Sequence, residues 1–140
     1  MTVVLITGAC GPAGISLAHQ LRALNIPSLV LVGADMNPQD ESPFYVLIAL
    51  PPANAPDYVP ALAEVVTKFA VEVLIPTVSE ELWMVSAVAP YLFENVQVVV
   101  SSASSTIVAG DKLLTLLALE RSGVPIPQFA LGGAFTHTGE

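Results

Sequence analysis

Three glycines, Gly8, Gly11 and Gly14, close an apolar run in the stretch ITGACGPAG, and Asp35 ends a second apolar run further along. A glycine turn between a strand and a helix is a device for holding an anion. Gly8 can take a backbone angle barred to other residues. Gly11 lets the backbone approach a ligand, and Gly14 lets the helix pack close to the strand. The unpaired N–H groups at the helix start then face the anion. Asp35 stands about 20 residues on, where a dinucleotide fold places its ribose-binding acid. Asn37 adds a further polar group at the same strand end.

The spacing here is GxxGxxG, not the GxGxxG of the standard dinucleotide fingerprint. It resembles the turn of short-chain dehydrogenase-like folds. No lysine follows the glycines, which excludes a Walker P-loop. Pro12 also removes one backbone donor from the turn. Any strand-to-helix corner of this kind needs small residues to pack, so a ligand role and a scaffold role both stay open. Asp35 and Asn37 have the same two readings, because Asn37-Pro38 also starts a polar turn.

A second polar group, Ser79, Glu80 and Glu81, opens a predicted helix. Carboxylates there are stabilised by the helix dipole, and Ser79 is a natural cap. The same groups can instead meet an amine or cationic substrate, with Glu80 expected nearer the cleft than Glu81. Cys10 reads as a small side chain that fits a tight turn. His19 is expected on a helix surface and His137 in the tail. Neither has a Cys or a second His at ligand spacing, so no metal site is expected. Trp83 and Met84 read as core or domain-interface residues. No residue stands out as catalytic.

The elements that must position these groups follow from the pattern. Strands are expected at Val3–Ile6, from Ser28 to Val32 with its end at Gly33 and Asp35, and at Tyr45–Ala49, Glu72–Ile75 and Val96–Val100. Helices are expected over Ile15–Leu24, from an Asp57 cap to Phe69, from Ser79 to about Pro90, and from an Asp111 cap to Gly123. Ser104–Ala109 reads as a short helical turn. The strand runs are continuously apolar, as in strands buried on both faces. Alternation of such strands with helices implies an α/β fold: three layers, with a doubly wound, mainly parallel sheet of about five strands. Ligands of such sheets bind beyond the carboxyl ends of the strands.

Composition narrows the function. The chain has 140 residues, 54% of them hydrophobic and 11% charged, with a mean hydropathy of +0.71. Prolines from Pro27 to Pro90 break the apolar runs into strand-sized pieces, too short to span a bilayer. No basic region precedes the first run, so no secretory signal is read. A cytoplasmic protein is expected, with no membrane partner. Four Lys and Arg residues against a net charge of −8 leave no basic patch for nucleic acid. The single cysteine excludes an internal disulfide.

Four segments in order, ITGACGPAG, VGADMNP (Val32–Pro38), PTVSEEL (Pro76–Leu82) and DKLLTLLALERSGVPIP (Asp111–Pro127), resemble the N-terminal domain of ATP-grasp ligases. That domain precedes the nucleotide-binding part of the enzyme. The likeness is to proteins similar to the carbamoyl-phosphate synthase large subunit. It covers the chain to about Phe129, and the last segment is the most telling. The resemblance implies a Rossmann-like domain over residues 1–128, with residues 129–140 as a linker or the start of an ATP-grasp domain. Such enzymes join a carboxylate to an amine, with ATP and magnesium held outside this domain. Its strand-end loops, here carrying Gly8, Gly11, Gly14, Asp35, Asn37, Ser79, Glu80 and Glu81, would face the substrate cleft. Asp111 and Lys112 would organise the hinge to the next domain.

On this resemblance the chain alone is not catalytic and holds no cofactor. Its partners would be an ATP-grasp domain in cis or a second copy, and a small-molecule substrate. Two other readings stay open. One is a stand-alone NAD(P)-binding protein, although Tyr45, Tyr58 and Tyr91 lack the lysine that short-chain dehydrogenases carry a few residues later. The other is a non-enzymatic interaction module, suggested by the high apolar content.

Overall fold

The computed structural model describes residues 1–39 and 43–129. The expected linker after residue 129 and His137 therefore lie outside the described residues. The chain runs β1 (Thr2–Thr7), α1 (Pro12–Ala23), β2 (Leu29–Asp35), β3 (Val46–Ala49), α2 (Tyr58–Lys68), β4 (Val73–Ile75), α3 (Ser79–Leu92), β5 (Gln97–Val98), α4 (Ala103–Gly110) and α5 (Lys112–Arg121).

The strands form one five-stranded sheet in the order β3-β2-β1-β4-β5. Every strand pair in it is parallel. β1 lies at the centre, with Val4 opposite both Leu31 and Val73. Successive side chains of a strand point to opposite faces, and β1 divides accordingly. Val3 and Leu5 join a core with Leu62, Val65 and Val66 of α2 and Val85 of α3. Val4 and Ile6 join a second core with Ala18 of α1, Leu31 and Phe44. Helices thus cover both faces of the sheet, giving three layers. The continuous apolar runs reflect this double burial.

Several boundaries differ from the sequence expectation, each for a local reason. β2 continues through Gly33 to Asp35 because β3 pairs with it there, Gly33 opposite Leu47 and Asp35 opposite Ala49. Gly33 packs closely rather than ending the strand: a Cβ there would lie 2.6 Å from Leu47 Cδ1. β5 is shorter than expected, because only Gln97 and Val98 pair with β4. α3 does not stop at Pro90 but runs on to Leu92. A proline removes one helical donor while its own φ suits a helix, and the next turn closes through Phe93 N–H donating to Ala89 O at 3.0 Å.

The expected short turn at Ser104–Ala109 is a full helix, α4. The Ser102 hydroxyl caps it, accepting from Ser105 N–H at 3.2 Å. Asp111 caps α5, its Oδ1 accepting from Leu114 N–H at 2.8 Å. Gly123 follows the end of α5 with φ +73°, as a helix-ending glycine should. Among the described residues, no helix is long and apolar enough to cross a membrane.

Candidate functional site

A cavity of about 550 Å³ opens at the carboxyl ends of β1, β2 and β4. These strands flank the point where the strand order reverses, with β2 and β4 on either side of β1. Open α/β sheets bind ligands at this crevice.

One wall is the glycine turn. Gly8 has φ +61°, in the left-handed region. A Cβ there would also lie 2.6 Å from Val78 Cγ2 and 2.7 Å from Thr77 Oγ1. Gly14 is buried under the turn, where a Cβ would lie 2.5 Å from Gly8 O and 2.9 Å from Ala9 Cα. It serves helix-to-strand packing and does not line the cavity, whereas Gly8 and Gly11 do. Gly11 is the N-cap of α1, and Pro12 takes the first helical position.

Three amides of this turn are already engaged, while those of Ala13 and Gly14, in the first turn of α1, are not. Ala9 N–H donates to Ala34 O at 3.1 Å, and Gly11 N–H to Gly8 O at 3.0 Å. Cys10 N–H donates to Asp35 Oδ2 at 2.9 Å. Pro12 has no N–H to offer. The acid that would bind a ribose instead ties β2 to the glycine turn. Its other oxygen accepts Asn37 N–H at 3.0 Å, forming the polar turn after the strand.

The opposite wall is the start of α3. Ser79, expected as its cap, sits inside the helix, and Val78 is the N-cap, with extended backbone. Val78 has no side-chain acceptor, so Glu81 reaches back and accepts Val78 N–H at 3.0 Å. Ser79, Glu80 and Glu81 all line the cavity. Glu80 is exposed at the rim, while Glu81 is 1% exposed at the base.

Glu81 is the centre of a buried polar cluster. Its Oε1 also accepts from Thr7 Oγ1 at 2.5 Å, and its Oε2 accepts from the Tyr58 hydroxyl. Thr7 ends β1 and Tyr58 begins α2, so one carboxylate joins three elements at the cavity floor. Burial pushes the Tyr58 hydroxyl well above its ordinary pKa, and the charge and hydrogen bond of Glu81 push it further. Thr77 Oγ1 donates to Thr7 O at 2.7 Å beside this cluster.

Sequence reasoning missed Thr7, Tyr58 and Thr77 as site residues. Tyr58 carried one usable signal: a tyrosine just after a predicted cap, at the start of a helix whose other inward residues are apolar.

Asp111 and Lys112 lie away from this cavity, exposed where α4 meets α5. His19 is exposed on α1. Trp83 is 51% exposed, while Met84 packs against the core. Cys10 is a free thiol, half-buried in the cavity wall. Among the described residues, no group of three or more His, Cys, Asp or Glu is placed to hold a metal ion.

No protein-family model matches the chain, and no curated protein sequence does. Solved structures do. The chain has a Rossmann-like fold. It is similar to the biotin carboxylase domain of a single-chain bacterial carboxylase, at 17% identity and a TM-score of 0.62. That match covers 90% of this chain and 30% of the other. It is also similar to dTDP-glucose 4,6-dehydratase from Bacillus anthracis, solved in complex with NAD, at 12% identity and a TM-score of 0.53. That match covers 89% of this chain and 52% of the other. The chain thus spans about half of the dehydratase and under a third of the carboxylase domain. At these identities the likeness is one of fold.

Proposed function

We propose that this chain is the leading, substrate-side domain of an ATP-dependent carboxylate–amine ligase of the carbamoyl-phosphate synthase-like kind. The observation that carries the reading is the engagement of the glycine turn. The amides of Ala9, Cys10 and Gly11 all donate within the protein, and Pro12 has none. A pyrophosphate at this turn would be left the amides of Ala13 and Gly14 without those of Ala9, Cys10 and Gly11, and would meet the Asp35 carboxylate that holds Cys10 N–H. The fold is shared by a carboxylase domain and an NAD-bound dehydratase, so the fold alone favours neither; the turn favours the ligase reading.

The cavity also does not suit a triphosphate. Among the described residues, its lining includes Asp35, Glu80 and Glu81 but no Lys, Arg or His. ATP and magnesium, which would activate the carboxylate in the whole enzyme, belong on this reading to another domain. The cavity of this chain would hold and orient the second substrate. Asp111 and Lys112 would sit at the approach to that other domain, in cis or from a second copy.

Isothermal titration with NAD+ and with NADH tests the proposal. No binding stronger than millimolar is expected for either. A micromolar dissociation constant for either nucleotide overturns the ligase reading and restores a dinucleotide-binding protein.

A further inference from the structure

We infer that the chain pairs with a second copy of itself through α5, the two α5 helices lying antiparallel about a two-fold axis. No residue of α5 lines the cavity, and the pairing does not depend on what the cavity holds. Six of the ten residues of α5 are Leu or Ala. They stand on every side of the helix, and a helix apolar all round is ordinarily buried. Yet α5 has no buried residue and packs mainly against α4. Leu114 and Leu119 are exposed, as is Ile107 of α4. A groove of about 450 Å³ runs between the two helices, walled largely by hydrocarbon from Val108, Ala109, Ala118 and Leu119.

Charge decides what covers this face. Lys112, Leu116 and Glu120 are spaced by four, so they form one row along the helix. Lys112 and Glu120 are exposed, and neither makes an ion pair or side-chain hydrogen bond among the described residues. Both oppose their own helix. Lys112 stands at the start, where the dipole is positive, and Glu120 in the last turn, where it is negative. A row that reads positive, leucine, negative is complementary to its own reverse. Laid antiparallel, each Lys112 meets the partner's Glu120, and Leu116 meets the partner's Leu116. A parallel arrangement would set like charges opposite each other. A two-fold axis needs a self-complementary patch of this kind.

The distribution of charge along the chain favours the same face. Residues 1–100 include nine acidic and two basic residues, so two copies repel there. Residues 101–129 carry two of each, Asp111 and Glu120 with Lys112 and Arg121. The α4–α5 hairpin is thus a neutral face on an acidic chain. A standard stable interface takes about 800 Å² from each partner. One helix about 15 Å long and about 10 Å wide covers less than that. The dimer is therefore expected to be weak, with a dissociation constant of about 10–100 µM.

Sedimentation equilibrium of the 140-residue chain in low salt, from about 1 µM to about 1 mM, tests this. A monomer–dimer equilibrium is expected. Lys112→Glu and Glu120→Lys are each expected to weaken the dimer roughly five- to thirtyfold, since each turns two attractive pairs into two repulsive ones. Each substitution also suits the helix dipole, so the dilute monomer is expected to keep or raise its melting temperature. The double variant Lys112→Glu with Glu120→Lys restores both pairs in the reversed sense. It is expected to recover the wild-type constant within roughly threefold.

A chain that is monomeric at every concentration overturns the inference and leaves the α5 face to a different domain or protein. Growth beyond the dimer overturns it as well. So does a dimer that neither single variant weakens, or one that the double variant fails to restore, because the contact then lies elsewhere or runs in the other direction.

Discussion

Glu81 shows how one buried carboxylate can organise a site without a salt bridge. Removing a charge from water is costly unless hydrogen bonds replace the lost solvation. Here Thr7, Tyr58 and Val78 supply three such bonds from three directions. Tyr58→Phe keeps the ring and its packing but leaves Glu81 Oε2 without its donor. The expected loss is about 1–3 kcal/mol of stability, read as a lower midpoint in urea unfolding with an unchanged slope.

Alkaline titration gives a second measure of the same pair. Tyr45 and Tyr91 are exposed, and Tyr58 is buried beside a negative charge. Folding therefore holds the Tyr58 proton more tightly than the unfolded chain does. Its contribution to stability is full below the ordinary tyrosine value near 10 and is lost as pH rises above it. Ultraviolet titration of wild type against Tyr58→Phe should show the Tyr58 hydroxyl ionising only as the protein unfolds at high pH.

Among the elements, the β1–α1 corner has the least room. Gly14 lies against the backbone of Gly8 and Ala9, which cannot move aside as a side chain can. Gly14→Ala is expected to cost about 1–3 kcal/mol, the usual penalty for overpacking, and to tilt α1 away from the sheet. Gly110 ends α4, and a Cβ there would meet nothing within 4 Å. Gly110→Ala is expected to be neutral or stabilising by up to about 1 kcal/mol, since it restricts the unfolded chain. Thermal melts of the two variants side by side distinguish a packing glycine from a merely tolerated one.

The difference between these glycines is partly readable in one dimension. A glycine three residues into a helix after a GxxG turn implies close packing, and Gly14 bears that out. The role of Gly33 is not readable, because the neighbours that demand it, Leu47 and Phe44, arrive from a later part of the chain. Ser79 misleads for a related reason: serine is a strong cap, but a buried glutamate two residues later reaches Val78 instead.

At the scale of the molecule, stability is concentrated around β1. Val3 to Ile6 are at most 5% exposed and lie between two other strands and two helical layers. α5 contributes no fully buried residue, and Leu114 and Leu119 remain 40% and 37% exposed. Its tie to α4 includes one hydrogen bond, from Thr115 Oγ1 to Val108 O at 2.8 Å. α4 in turn meets α3 through Ser86 and Thr106, whose hydroxyls lie 3.0 Å apart. Hydrogen exchange should therefore show α5 amides opening locally, while β1 amides exchange only with global unfolding. Equal protection in the two elements would contradict this ranking.

The sequence by itself determined the layer architecture and the place of the glycine turn. Those depend on local signals: continuous apolar runs, their alternation with helical spacing, and small residues at a tight corner. It also brought Asp35, Ser79, Glu80 and Glu81 into consideration, because strand ends and helix starts are visible in one dimension. Only the tertiary structure decided what those groups do. Asp35 spends its oxygens on Cys10 and Asn37, and Glu81 goes to the floor with Thr7 and Tyr58, while Glu80 stays at the rim. The Glu81 contacts join residues 23 and 74 positions apart, measured to Tyr58 and to Thr7. Contacts at that separation leave no periodic trace in a sequence, since they arise from the order in which strands assemble into the sheet.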